Sequence, residues 1–382
     1  MTSKMLEQRT HVEMLNCPTK GRDLEFAPEL FLSKVNIPTW LSCLTVCFLS
    51  IYFPSVTTRI EIQWLPWLLS IFIFGLSHGG IDHQVPPLLG TATMKGKSLV
   101  TFIAWYLAMM IVVLLTWGLN PDLALIFFLV MSAYHFGQGD LYWSSNFGLN
   151  RAFRARNHRA RKILPWFQAT FLISRGSIAA ILPFIIFPEK FNEITQHLAS
   201  QLTGLRIQRW EGASSLRYVL ISAISVLVLS QIMISIKLAY ESYITSDVVA
   251  VRAAIIEILE TGLLLILFSS APPILAIGTY FLGWHAPRHV VRLMLITEPM
   301  RSLMLEGRYG QSLVVFHRRA LPLTLAAAGL LLFLFALFSR YEFSAAQVLT
   351  TAFLFVSAIT LPHFIIVLWM DVKQKSWRSS GL

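Results

Sequence analysis

The stretch SLVTFIAWYLAMMIVVLLTWG, Ser98–Gly118, contains no charged residue. A helix rises 1.5 Å per residue, so about 20 apolar residues are needed to cross the ~30 Å hydrocarbon core of a bilayer. This segment therefore reads as a membrane-crossing helix. Working outward, similar apolar segments lie near 39–56, 64–80, 122–138, 166–187, 216–238, 252–270, 273–289, 321–339 and 346–370. Those near 64–80 and 273–289 are short and interrupted by Gly or Pro. The expected fold is all-α, a polytopic integral membrane bundle of about ten transmembrane helices.

Composition agrees with that reading. The chain has 382 residues, 55% hydrophobic and 13% charged, with a mean hydropathy of +0.62. A soluble domain carries about 25% charged residues. The net charge of +11 falls mainly between apolar runs, where basic residues set topology and meet anionic headgroups. No stripe of bases interleaved with aromatics is present, so nucleic acid is not an expected partner. Three cysteines (Cys17, Cys43, Cys47) make no disulfide framework, zinc ribbon or c-type haem motif. The N-terminus shows no signal-peptide pattern, and the first helix is expected to stay as an anchor. Residues 1–38 are expected to form a cytoplasmic arm and 39–371 the membrane domain, with a basic loop near 141–165. Residues 372–382 would be a cytoplasmic tail. The stretches 189–215 and 291–320 read as amphipathic surface helices.

Counting ten crossings from a cytoplasmic N-terminus puts most bases inside: Lys4 to Lys34, Lys95 and Lys97, six between Arg151 and Lys162, Arg252, Arg288 to Arg319, and Lys373 to Arg378. The outside keeps Arg59, Lys190, Arg206, Arg209 and Arg340, with Arg217 at a boundary. That asymmetry predicts both termini in the cytoplasm of a multi-pass cell-membrane protein.

Four histidine motifs sit near the ends of apolar segments: HGGIDH (His78–His83), YHFGQGD (around His135), WHAPRH (His285–His289) and LPH (His363). All fall on even-numbered helices of this topology, hence in the cytoplasmic half at roughly one depth. Imidazole at membrane depth is costly unless its nitrogens are satisfied, and neutral imidazole is a common ligand of iron, copper and zinc. His285 and His289 share a helical face if the helix continues through Pro287; a membrane-interface cluster with Trp284 as belt anchor is the competing reading. Gly79 and Gly80 permit a sharp exit, and Asp82 could orient an imidazole; a polar helix cap explains HGGIDH equally. His135 and His363, each taken alone, also suit satisfied core histidines. His11, His158, His197 and His317 are expected in loops or surface segments. Glu257, Glu260 and Arg175 lie at membrane depth, where an interior hydrogen-bonded role is the default. An all-histidine site in apolar surroundings favours oxygen chemistry on a lipid-soluble substrate over hydrolysis.

In this order on apolar segments, HGGIDH, YHFGQGD, WHAPRH and LPH resemble the Brp/Blh family of membrane β-carotene 15,15′-dioxygenases, which supply retinal to microbial rhodopsins. The resemblance covers roughly residues 64–370. It implies an Fe(2+) enzyme that cleaves the central double bond of β-carotene with O2 to give two retinal molecules. The metal ligands would correspond to His78, His135, His285 and His289, with His83, His363, Asp82 and Asp140 as supporting candidates. Tyr134, Phe136, Phe281 and Trp284 could flank a polyene entering from the lipid bilayer. No general acid or nucleophile is required, and no serine–histidine or paired-carboxylate motif is present. The N-terminal arm and the long basic stretch after His135 depart from the compact family pattern and leave other apocarotenoids open as substrates. A functional link to a retinal-binding rhodopsin follows from the same resemblance.

Other classes compete. Histidine-rich membrane desaturases and hydroxylases carry more histidines in HxxxH and HxxHH clusters, and here only His285/His289 has that spacing. A carotenoid- or retinal-binding or transport protein suits a ten-helix body with Glu257 and Glu260. A rhodopsin would need a Schiff-base lysine in its last helix, which has none before Lys373.

Overall fold

The computed structural model describes residues 28–88, 94–148, 158–203, 214–338 and 345–374. Among them no strand occurs. The long elements are α1 (Pro28–Tyr52), α2 (Ile60–Ser70), α3 (Leu76–Gly80), α4 (Lys97–Leu119), α5 (Pro121–Phe147), α6 (His158–Ala180) and α7 (Pro188–Thr203). They continue with α8 (Ser214–Ile244), α9 (Val248–Ser270), α10 (Pro273–Tyr280), α11 (Ala286–Ile296), α12 (Tyr309–Phe338) and α13 (Ala345–Gln374). One π-helical turn, Ile71–Gly75, joins α2 to α3, and a second, Phe281–His285, joins α10 to α11.

Local chemistry explains several of these starts. Asn120 Oδ1 accepts from Leu123 N at 3.0 Å and Pro121 follows, so α5 opens with a side-chain cap and a residue that needs no N–H partner. Asp247 caps α9 through Ala250 N at 3.0 Å. Pro287 sits inside the helical run that continues from α10 through the π-turn into α11, and Gly283 O, which its missing N–H leaves free, accepts from Thr39 Oγ1. His285 and His289 therefore stay one helical turn apart.

Helix α5 packs most extensively on α6, and α8 on α9; α10 lies against α2, α12 against α3, and α13 against α4. The α5–α6 contact depends on two glycines. A Cβ at Gly137 would stand 1.9 Å from Leu172 O, and one at Gly176 only 1.7 Å from Ala133 O. Backbone meets backbone there, so neither neighbour can yield. We expect Gly137→Ala to cost about 1–3 kcal/mol or more, read as a lower thermal midpoint of the detergent-solubilised protein. An unchanged midpoint would refute this close approach. Two indoles tie further pairs: Trp67 Nε1 donates to Ile274 O at 2.8 Å, and Trp117 Nε1 to Ser357 Oγ at 2.8 Å.

The outer surface is apolar in helical stripes, such as Leu41, Leu44, Phe48 and Ile51 on α1, or Leu107, Ile111 and Leu115 on α4. Stripes of this extent are compatible with a membrane protein. Six stretches of the described residues are long and apolar enough to cross a bilayer: Ser33–Tyr52, Ile60–Pro87, Lys97–Leu119, Leu216–Ile244, Tyr309–Ala336 and Thr350–Gln374. The expected ten is not reached by that measure. The other four segments are also helical, and their helices carry the buried charges Asp140, Arg175, Glu257, Glu260 and Arg288.

Other expectations change too. The arm expected over 1–38 gives up its last residues to α1, because Asn36 is buried and accepts from Arg288. The loop expected near 141–165 is mostly helix: α5 continues through buried Leu141, Trp143 and Phe147, and α6 begins at His158. Arg151, Arg154 and Arg156 lie outside the described residues, as do residues 1–27 and 375–382. The stretch 291–320 is no single surface helix, since α11 is buried around Arg292, which pairs with Asp371. His317, expected in a loop or surface segment, lies half-buried within α12 with its ring stacked 6.3 Å from Phe74.

Candidate metal centre

Five imidazoles from five elements meet inside the bundle. His78 comes from α3, His135 from the middle of α5, His285 from the end of the second π-turn, His289 from α11 and His363 from α13 beside Pro362. All five are buried. Each π-turn directly precedes a histidine segment, widening the helix by one residue where the chain must aim a side chain inward. Gly75 is the residue that fits the first of them, because a Cβ there would stand 2.8 Å from Ser70 O.

Ring centroids separate by 4.9 Å for His78–His363 and for His135–His285, 5.1 Å for His135–His363 and 5.2 Å for His289–His363. The pairs His78–His289, His78–His285, His285–His289 and His135–His289 follow at 5.6, 6.0, 6.4 and 6.5 Å. An imidazole bonded at about 2.1 Å has its centroid roughly 3.2 Å from the ion, so ligand rings stand about 4.6 Å apart at a right angle and about 6.5 Å apart when opposed. These eight spacings, of the ten pairs that five rings make, fall in that interval. As the side chains stand, no trio of His, Cys, Asp or Glu among the described residues is already arranged around a common point. An ion bound there would need the rings to turn, and a χ angle about 30° off its rotamer costs about 1 kcal/mol per side chain.

Hydrogen bonding supports the donor set. His78 Nδ1 donates to Phe74 O at 3.0 Å and His363 Nδ1 to Asp82 Oδ2 at 2.9 Å. A carbonyl or carboxylate only accepts, so both rings carry their proton on Nδ1 and keep the Nε2 lone pair. His135 Nδ1, His285 Nε2, His289 Nε2 and His363 Nε2 are buried without any hydrogen-bond partner. Four orphaned ring nitrogens in one cluster are what an ion binding there would satisfy.

The cluster opens on an apolar cavity of about 280 Å³, lined by His78, His135, His285 and His363 together with Phe136 and Phe281 among others. His289 lies outside that lining. Phe136 meets the His285 ring edge-on at 5.0 Å, and Tyr280 stacks on it at 6.0 Å.

A charged layer adjoins the histidines. Asp140 Oδ1 accepts from Trp284 Nε1 at 2.8 Å and Arg288 Nη1 at 3.3 Å. Arg288 Nη2 reaches Glu260 Oε1 at 2.5 Å and Asn36 Oδ1 at 3.3 Å. Arg175 Nη2 bonds Glu257 Oε2 at 3.1 Å and Glu260 Oε2 at 3.4 Å, and Trp40 Nε1 donates to Glu260 Oε1 at 2.9 Å. A second group joins Arg292 and Gln138 to Asp371, with Arg292 3.9 Å over the Tyr142 ring. Helix α11, which carries His289, is thereby tied to α1, α5, α9 and α13.

The structure thus brings together His78, His135, His285, His289 and His363, with Asp82 beside His363. His83 stands apart, its Nδ1 3.1 Å from Gly80 O. Asp140 belongs to the charged layer rather than to the histidines. Two expected substrate-flanking residues are placed elsewhere. Tyr134 is exposed and packs on Phe364, and Trp284 is fully buried with Arg288 4.1 Å over its ring. Trp284 reads as an aromatic at a membrane boundary in the sequence, but its N–H is claimed by Asp140. Tyr106, which carries no motif, donates to Asp82 Oδ2 at 3.3 Å and lines the cavity. A tyrosine inside an apolar run gives no spacing signal that could have found it.

A family model described as beta-carotene 15,15′-dioxygenase matches residues 69–371. A protein of Halobacterium salinarum named probable beta-carotene 15,15′-dioxygenase Blh is 28% identical over 321 residues, covering 82% of this chain and 85% of that protein. No solved structure matches.

Proposed function

The chain belongs to the beta-carotene 15,15′-dioxygenase family, and from that we propose that it cleaves the central double bond of β-carotene with O2, giving two molecules of retinal. The C15=C15′ bond breaks, and each new aldehyde takes one oxygen atom. We assign the metal to iron(II), held by His78, His135, His285 and His289 in a bundle set in the cell membrane. Bound iron supplies the redox centre at which O2 is activated.

The chain's own residues do the rest. His78 is kept in the ligating tautomer by Phe74 O. Phe136 and Phe281 line the cavity beside His285 and present apolar faces to a polyene. Holding the central bond against the cluster supplies much of a barrier reduction of this kind. The polar contribution to the lining is small beyond the imidazoles, so water is disfavoured where the bond would break. A polyene partitions into lipid and enters laterally between helices. We place both termini in the cytoplasm, on the charge asymmetry of the connections.

The observation that carries this reading is the cluster of buried imidazoles with unpartnered nitrogens, opening on an apolar cavity. Expression in carotene-producing cells should bleach their colour and yield retinal, and the purified chain should hold one iron atom. Colour retained with the chain present would refute cleavage and favour a carotenoid-binding or transport protein. Two irons per chain would favour the desaturase and hydroxylase class. Stoichiometric zinc without iron would refute the metal assignment.

A further inference from the structure

We propose that His363 is a fifth imidazole donor to the ion, held in place by Asp82, in a centre that leaves a single coordination position open. The proposal rests on the metal reading above and adds a ligand to it.

His363 stands 4.9 Å from His78, 5.1 Å from His135 and 5.2 Å from His289, so it is in ring contact with three of the other four imidazoles. The tautomer is also settled: Nδ1–H is given to Asp82 Oδ2, which leaves a buried Nε2 with no partner. A carboxylate behind a histidine, with the second ring nitrogen free, is the usual outer arrangement of a metal-bound imidazole.

Asp82 is itself positioned. Tyr106 donates to the same Oδ2, while Oδ1 is buried without a partner. The carboxylate contributes charge as well. Four neutral imidazoles leave both positive charges of a divalent ion uncompensated in an apolar interior, and Asp82 is the carboxylate that touches the cluster. The His363–Asp82 bond already fastens α13 to the turn after α3, across 281 residues of sequence. Five nitrogen donors would leave a six-coordinate ion room for one further ligand.

Cobalt(II) substitution tests this without turnover, because its visible absorption is intense in four-coordinate sites and several-fold weaker in five-coordinate ones. The wild-type chain loaded with cobalt should give the weak spectrum. His363→Ala should give the intense one and bind cobalt at least tenfold more weakly, and added imidazole should restore the wild-type spectrum. Asp82→Asn should keep the weak spectrum while lowering cobalt affinity by about 10–100-fold. If wild type takes up no cobalt, the metal reading itself falls. If wild type takes it up and His363→Ala leaves spectrum and affinity unchanged, only the fifth donor is overturned. Should His363→Ala fail to fold, His363→Gln and Asp82→Asn carry the test: wild-type affinity in both refutes the proposal, and weakened affinity in both supports it.

Discussion

His135→Ala is expected to abolish retinal formation while the protein still inserts and purifies as a folded bundle. The side chain leaves the centre of α5, where it lines the cavity and where its Nδ1 has no protein partner. Removing it deletes no hydrogen bond through that nitrogen, so the fold loses packing but leaves no new buried donor unpaired. The cost to stability is that of a cavity in a packed interior, about 2–4 kcal/mol. If His135 is a ligand as proposed, the cost to metal binding would be larger in effect, because one donor beside the rings at 4.9 and 5.1 Å would be gone. Product analysis in carotene-producing cells, paired with iron content, checks both parts. Retained cleavage would exclude His135 as an essential ligand.

Arg288→Ala should destabilise the chain by about 3–5 kcal/mol, the range for breaking a buried ion pair from one side. Arg288 serves Asp140, Glu260 and Asn36 at once and lies over the Trp284 ring. Without it, three buried carboxylates (Asp140, Glu257 and Glu260) share the charge of Arg175, with Trp284 and Trp40 still donating to Asp140 and Glu260. Arg288→Lys keeps the charge but loses the two-pronged geometry, so it should fall between the two. The double variant Arg288→Ala/Glu260→Gln should recover part of the loss, because it removes a stranded charge together with its partner. Thermal unfolding of the three variants reads the order directly. Equal midpoints for Arg288→Ala and wild type would mean that the layer holds nothing together.

Much of the functional centre is legible in the chain because its parts are rare. A histidine near the end of an apolar segment is expensive, and four such motifs narrow the alternatives quickly. The helical segments are legible for a similar reason, since apolar runs of that length have few other uses. The crossing count is less so. Segments that carry Arg175, Glu257 or Glu260 are apolar on one side and charged on the other, and composition alone does not say which side faces out. The π-turns leave no mark either, since IFIFG and FLGWH look like ordinary helix. Nor does sequence show that Asp82 meets His363, or that Asp140 claims Trp284 instead of standing among the histidines. Those pairings join residues hundreds of positions apart and are fixed by how α3, α5, α10, α11 and α13 pack.

The two widened turns have an architectural consequence. Each spends one surplus residue ahead of a histidine, and each residue of an α-helix turns the chain by about 100°. Excising a single residue anywhere in Ile71–Gly75 would swing His78 away from its companions even though every imidazole remained in the chain. The centre is therefore specified as much by counting as by chemistry, and a shortened relative with all its histidines intact need not be able to bind an ion.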